Sequence, residues 1–116
     1  MGGDEKQAFV RAKALASRLA PEQRLVIWSA HAVAELVADR LVRVDVEAAL
    51  EGAVIIEDYP TVTRPLPDCL VLGHLGSGAP IHAVVALDIE LDRVVIVTAY
   101  RPGGEEWEDD WHTRRT

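Results

Sequence analysis

The side chains best suited to acid–base chemistry lie in two β-like runs, Pro80-Ile81-His82-Ala83-Val84-Val85-Ala86-Leu87 and Val94-Val95-Ile96-Val97-Thr98-Ala99-Tyr100-Arg101-Pro102. Strand alternation sets Thr98 and Tyr100 on one face of the second run and His82 on one face of the first. An imidazole exchanges protons near neutral pH, and two hydroxyls beside it could orient the ring or bind a phosphate oxygen. A second imidazole, His31, opens a helix, where the positive end of the helix dipole attracts anions and lowers an imidazole pKa. Arg40 ends the same helix, and its guanidinium could neutralise charge on a phosphate.

Each group also has a plainer reading. His82 between apolar neighbours can be a structural histidine satisfied by one hydrogen bond. Thr98 and Tyr100 are ordinary strand residues, His31 a surface histidine near a cap, and Arg40 a side chain that snorkels to water. His31 and Glu35 have the i,i+4 spacing of two metal ligands, with His82 as a conceivable third, but the second histidine of H-E-x-x-H is missing. The residues therefore call for no metal and no cofactor. The glycines from Gly73 to Gly78 have no following helix, so they read as a hairpin turn and not a phosphate cradle. The lone Cys69 lies in an apolar run and reads as core.

The elements that must position these groups follow from periodicity. Asp4 to Leu19 reads as a helix with Phe9, Ala12, Leu15, Ala16 and Leu19 along its apolar stripe, ended by Pro21. Leu25 to Trp28 is a short strand. Ser29 caps a helix of about Ala30 to Leu41, with Val33, Leu36, Val37, Arg40 and Leu41 on one stripe. Asp45 caps a third helix that Gly52 closes. Four strands follow: Ala53–Asp58, Cys69–His74, the His82 run and the Tyr100 run, with three prolines interrupting the stretch between the first two. Trp107 and Trp111, four apart, predict a helical turn in the tail. The order predicts an α+β domain, with N-terminal helices on one face of a twisted, mostly antiparallel sheet, as in small microbial RNases.

The chain has 116 residues, 49% hydrophobic and 27% charged, which suits one globular domain. No apolar run approaches the roughly 20 residues of a membrane span, and Met1 to Lys6 lacks the features of a signal peptide, so a cytoplasmic protein with no membrane partner is expected. The net charge is −7, which disfavours nonspecific nucleic-acid binding. Five of the 19 acids lie between Glu105 and Asp110, however, and without them 14 acids face 12 basic residues. A local basic patch from Arg24, Arg40, Arg43, Arg64 and Arg101 stays compatible with an RNA-directed site.

Taken in order, Ser29-Ala30-His31-Ala32, Glu47 to Gly52, Ile56-Glu57-Asp58-Tyr59-Pro60, Leu70 to Gly73, Pro80-Ile81-His82, Val97-Thr98-Ala99-Tyr100-Arg101-Pro102 and Trp107 resemble the DUF4258 family of small bacterial proteins. The resemblance runs from about Val26 to Trp107. It implies an N-terminal helix at 1–22 outside the match and a single α+β domain at 23–116 with an acidic, Trp-containing tail. It further implies a relative of the RelE/MqsR-type toxins, and some members of the family are encoded beside MqsA-like zinc-finger antitoxins. The family pattern places glycine and a β-branched residue after the arginine that ends the His-bearing helix; here Leu41-Val42-Arg43-Val44 follows Arg40.

The resulting expectation is a metal-independent endoribonuclease with RNA as substrate and an antitoxin-like protein as partner. One of His31 and His82 takes the ribose 2′-hydroxyl proton and the other protonates the 5′-oxygen. Arg40 stabilises the phosphorane, while Thr98 and Tyr100 position the phosphate. The alternative is a noncatalytic protein-interaction module that docks a partner through its helices or its tryptophans.

Overall fold

A computed structural model describes residues 1–60 and 65–116. Arg64 of the expected basic patch lies outside these described residues. Among them the chain forms α1 (Gly3–Leu19), β1 (Val26–Trp28), α2 (Ala30–Ala38), α3 (Arg43–Ala49), β2 (Val54–Asp58), β3 (Asp68–His74), β4 (Pro80–Asp88) and β5 (Arg93–Tyr100). The strands make one sheet in the order β1-β5-β4-β3-β2. β1 pairs parallel with β5 and every other pairing is antiparallel, so the fold is α+β as expected.

One face of the sheet carries Cys69, Val71, Ile81, Ala83, Val85, Leu87, Val94, Ile96 and Ala99, which pack with Val10, Ala14, Ala32, Leu36, Val46 and Leu50 of the helical layer into a single core. Burial drives the Cys69 thiol up to about 12, so it behaves as a small apolar side chain. Gly73 lets β3 approach α3: a Cβ there would lie 2.9 Å from the Ala49 carbonyl oxygen. Among the described residues, no helix is long and apolar enough to cross a membrane.

Helices also cover the sheet's edges. On the β2 side, Gln7 of α1 accepts the Ile55 amide and Arg11 donates to the Ala53 carbonyl. On the other side β1 is only three residues long, and α2 takes its place along the rest of β5. Glu35 there accepts the Ala99 amide at 3.0 Å and Asp39 the Arg101 amide at 2.7 Å. Carboxylates on α2 and at its C-cap thus satisfy donors that an edge strand would otherwise present to another chain.

Two helical faces differ from the periodicity. α1 buries Lys6, Val10, Ala14 and Ser17, leaving Leu15 and Leu19 exposed. The cause is Lys6, whose ammonium is held by Asp58, the Tyr59 carbonyl and the Asp68 carbonyl, so a charged residue turns inward with its partners. α2 buries Ala32 and Leu36 and exposes Val33 and Val37, because the face bearing Glu35 must meet β5.

α2 also ends at Ala38, short of Leu41. Arg40 adopts a left-handed conformation (φ 54°), the Leu41 amide bonds the Leu36 carbonyl at 2.9 Å and the Arg40 amide the Val37 carbonyl at 3.3 Å. This is a Schellman turn with arginine where glycine is usual, and it folds Leu41 back onto the core. α3 starts at Arg43, ahead of the expected Asp45 cap. The tail forms no helix: Trp107 and Arg114 make an isolated antiparallel bridge.

Candidate functional site

His82 faces away from the helical layer. Its strand neighbours Ile81 and Ala83 belong to the helix-side core, so alternation turns the imidazole to the opposite face, where register sets it between Leu72 on β3 and Tyr100 on β5. The tail crosses this face and buries His82 completely. Trp107, itself 1% exposed, meets the imidazole edge-on at 4.5 Å between ring centroids.

Both ring nitrogens are engaged. Nε2 lies 2.7 Å from the Trp111 carbonyl oxygen and Nδ1 lies 3.3 Å from the Tyr100 hydroxyl. A carbonyl only accepts, so Nε2 carries the hydrogen, and in the neutral ring Nδ1 then accepts from Tyr100. Burial holds the imidazole below its ordinary pKa, against the raising effect of the Trp111 carbonyl. Burial likewise pushes Tyr100 upward, so the phenol keeps its proton.

Glu57 on β2 completes this group. It binds Arg114 of the tail through both carboxylate oxygens, at 2.5 and 3.1 Å, and accepts the Tyr59 hydroxyl at 3.0 Å. The Arg114 hydrogen bond holds Glu57 below the usual carboxylate range, while burial, reinforced by Glu57, pushes Tyr59 up to about 12. The Arg114 guanidinium lies 4.6 Å from the centre of the Trp107 ring, adding a cation–π contact.

The other expected residues gather along α2. Thr98 follows a β-bulge, where pairing jumps from Val85–Ile96 to Val84–Thr98, and its hydroxyl donates to Glu35. His31 is exposed, and its Nε2 lies 3.5 Å from the same Glu35 carboxylate. Arg40 is exposed at the helix end, and its carbonyl accepts from the Arg101 guanidinium at 3.4 Å. The structure thus joins His82 to Tyr100, and His31 to Thr98 through Glu35. Among the described residues no hydrogen bond, ion pair or ring contact links His31 to His82.

One carboxylate oxygen of Glu35, Oε1, accepts both the Thr98 hydroxyl and the Ala99 amide, and among the described residues no three His, Cys, Asp or Glu side chains cluster as metal ligands would. The expected basic patch is divided. Arg40 and Arg101 stand together at the end of α2, whereas Arg24 and Arg43 line a groove of about 680 Å³ between α1, β1 and α3.

Glu57, Tyr59, Arg114 and the Trp111 carbonyl were not among the expected site residues. The spacing of Glu57 and Tyr59, a carboxylate and a phenol two residues apart in an extended run, is a usable signal for the first two. A backbone carbonyl leaves none in the sequence.

The family model described as "Domain of unknown function (DUF4258)" matches residues 28–101, which include His31, Arg40, Glu57, His82, Thr98 and Tyr100. No curated protein and no solved structure matches the chain.

Proposed function

The chain belongs to the DUF4258 family, and from that premise we propose that it is a toxin-like endoribonuclease working without a metal, with His82 as its proton-transfer group. The observation that carries the reading is the His82–Tyr100 pair, an imidazole and a phenol in hydrogen-bond contact on the sheet face away from the helices. A phenol both donates and accepts, so Tyr100 serves either tautomer of His82. With Nδ1–H donating to Tyr100, the lone pair of Nε2 is available as a base.

In this reading Nε2 takes the proton of a ribose 2′-hydroxyl as the 2′-oxygen forms a bond to phosphorus. The bond to the 5′-oxygen breaks, that oxygen takes a proton from water, and the imidazolium returns its proton to solvent. The exposed pair Arg40 and Arg101, the latter directly after Tyr100, supplies positive charge for RNA phosphates. His31, held with Glu35 and Thr98 in a separate group, has no step in this scheme. Cytoplasmic location and pairing with an antitoxin-like protein belong to the same proposal.

Purified protein incubated with RNA at high enzyme, with and without EDTA, tests it. Cleavage that survives EDTA and falls at least about 10²-fold in His82→Ala is expected. RNA left intact both by the wild type and by a variant in which the tail no longer covers Nε2, or full activity in His82→Ala, sinks the reading.

A second reading, a noncatalytic protein-interaction module, is favoured by Val33 and Val37, 44% and 79% exposed and one turn apart on α2. A stable partner recovered from native cells, lost in Val37→Glu, with no RNA cleavage once it is removed, would select this reading.

A further inference from the structure

We propose that residues 108–116 are a strap that keeps the His82 site closed, and that the form able to act on RNA is the one with the strap lifted; this rests on the ribonuclease reading above. The strap puts the Trp111 carbonyl oxygen 2.7 Å from Nε2, where a 2′-hydroxyl would have to stand. It blocks the base in two ways. The carbonyl fills the position, and because it only accepts, it holds the hydrogen on Nε2 and leaves no lone pair there.

The strap is built to move as a piece. Asp110 accepts the His112 amide and both the amide and hydroxyl of Thr113, the Glu108 amide bonds the Thr113 carbonyl, and the Trp111 amide bonds the Glu108 carbonyl. It is tied to the body by the His82 hydrogen bond and the Arg114 clamp on Glu57 and Trp107, and to the segment before it by Arg115, whose amide and guanidinium donate to the Glu106 and Gly104 carbonyls. Trp107, almost fully buried, stays behind as the anchor.

Two further observations agree. The family match ends at residue 101, so the groups under the strap lie within the matched region and the strap lies outside it. The tail also carries Glu105, Glu106, Glu108, Asp109 and Asp110, so the closed form sets carboxylates against an incoming polyanion. Three of these five, Glu108, Asp109 and Asp110, lie on the strap itself, beside Arg114 and Arg115, and move away with it.

The test uses the full chain with Arg114→Ala, a change at an exposed clamp, and with Arg114→Ala combined with Trp111→Ala. Diethyl pyrocarbonate modification of His82, scaled to exposed His31 in the same sample, reads accessibility, and RNA cleavage reads activity. We expect at least tenfold faster modification of His82 and at least tenfold faster cleavage in one or both variants. Unchanged His82 modification in both overturns the strap, as does an opened His82 whose cleavage rate equals that of a cleaving wild type. An opened His82 with intact RNA throughout upholds the closure and overturns the ribonuclease reading instead.

Discussion

The imidazole of His82 donates to the backbone carbonyl of Trp111 across 2.7 Å, joining the middle of the sheet to a tail 29 residues further along the chain. Because the donor is buried and neutral, this relationship has a pH dependence of definite sign. Burial lowers the folded-state pKa below the ordinary value of 6.5, with Arg114 and His112 acting in the same direction and the Trp111 carbonyl and Glu57 opposing them.

Below about 6.5 the unfolded chain therefore binds a proton that the folded chain resists, and unfolding gains. His82 contributes its full stability above that pH and loses it as pH falls toward the depressed folded value. Urea midpoints should drop between about pH 7 and pH 5 in the wild type and drop less in His82→Gln. Equal slopes in the two proteins would show that His82 titrates alike folded and unfolded. The Glu57 contribution, with its pKa lowered from 4.5, is lost only in more acid solution.

Arg40 gives a prediction of opposite direction. Its left-handed backbone costs an L-residue about 1–2 kcal/mol, partly offset in Arg40→Gly by the greater freedom of glycine in the unfolded chain. Arg40→Gly should stabilise the protein by about 0.5–1 kcal/mol, raising Tm by a few degrees. A lower Tm would mean that the guanidinium contributes more than the turn costs. If Arg40 also holds RNA phosphate, the same variant cleaves more slowly while being more stable, which separates the two roles.

How far these features were legible in the sequence depends on what carries them. The strands, the α+β order and the His82–Tyr100 pairing were readable, because β-runs with short links fix alternation and neighbours. The direction His82 faces was not, since alternation defines two faces without saying which one meets the helices. The inward turn of α1 was hidden for another reason: Lys6 reads as solvated until Asp58 is placed beside it. The path of the tail is hidden because its acids dominate its composition, whereas its attachment depends on Arg114 and on a main-chain oxygen.

Glu35 tests the edge that α2 protects. In Glu35→Ala the Ala99 amide loses its acceptor and Thr98 its partner, which should cost about 1–2 kcal/mol and speed amide exchange at Ala99. Glu35→Gln keeps an acceptor oxygen and should retain most of the stability. If the two variants are equally destabilised, the carboxylate's charge matters more than its place as a surrogate strand partner.

Gly73 tests the packing of β3 on α3, on which the placement of the whole sheet against the helices depends. A methyl at this position meets the Ala49 carbonyl oxygen at 2.9 Å and the Ala49 Cβ at 3.2 Å, and neither atom is the end of a flexible side chain. Gly73→Ala should therefore destabilise by about 1–3 kcal/mol, read from urea unfolding. Adding Ala49→Gly removes the Cβ contact but leaves the closer carbonyl in place. Measured against Ala49→Gly alone, the double variant should recover less than half of the loss; full recovery would show that the helix backbone moves aside freely once the side chain is gone.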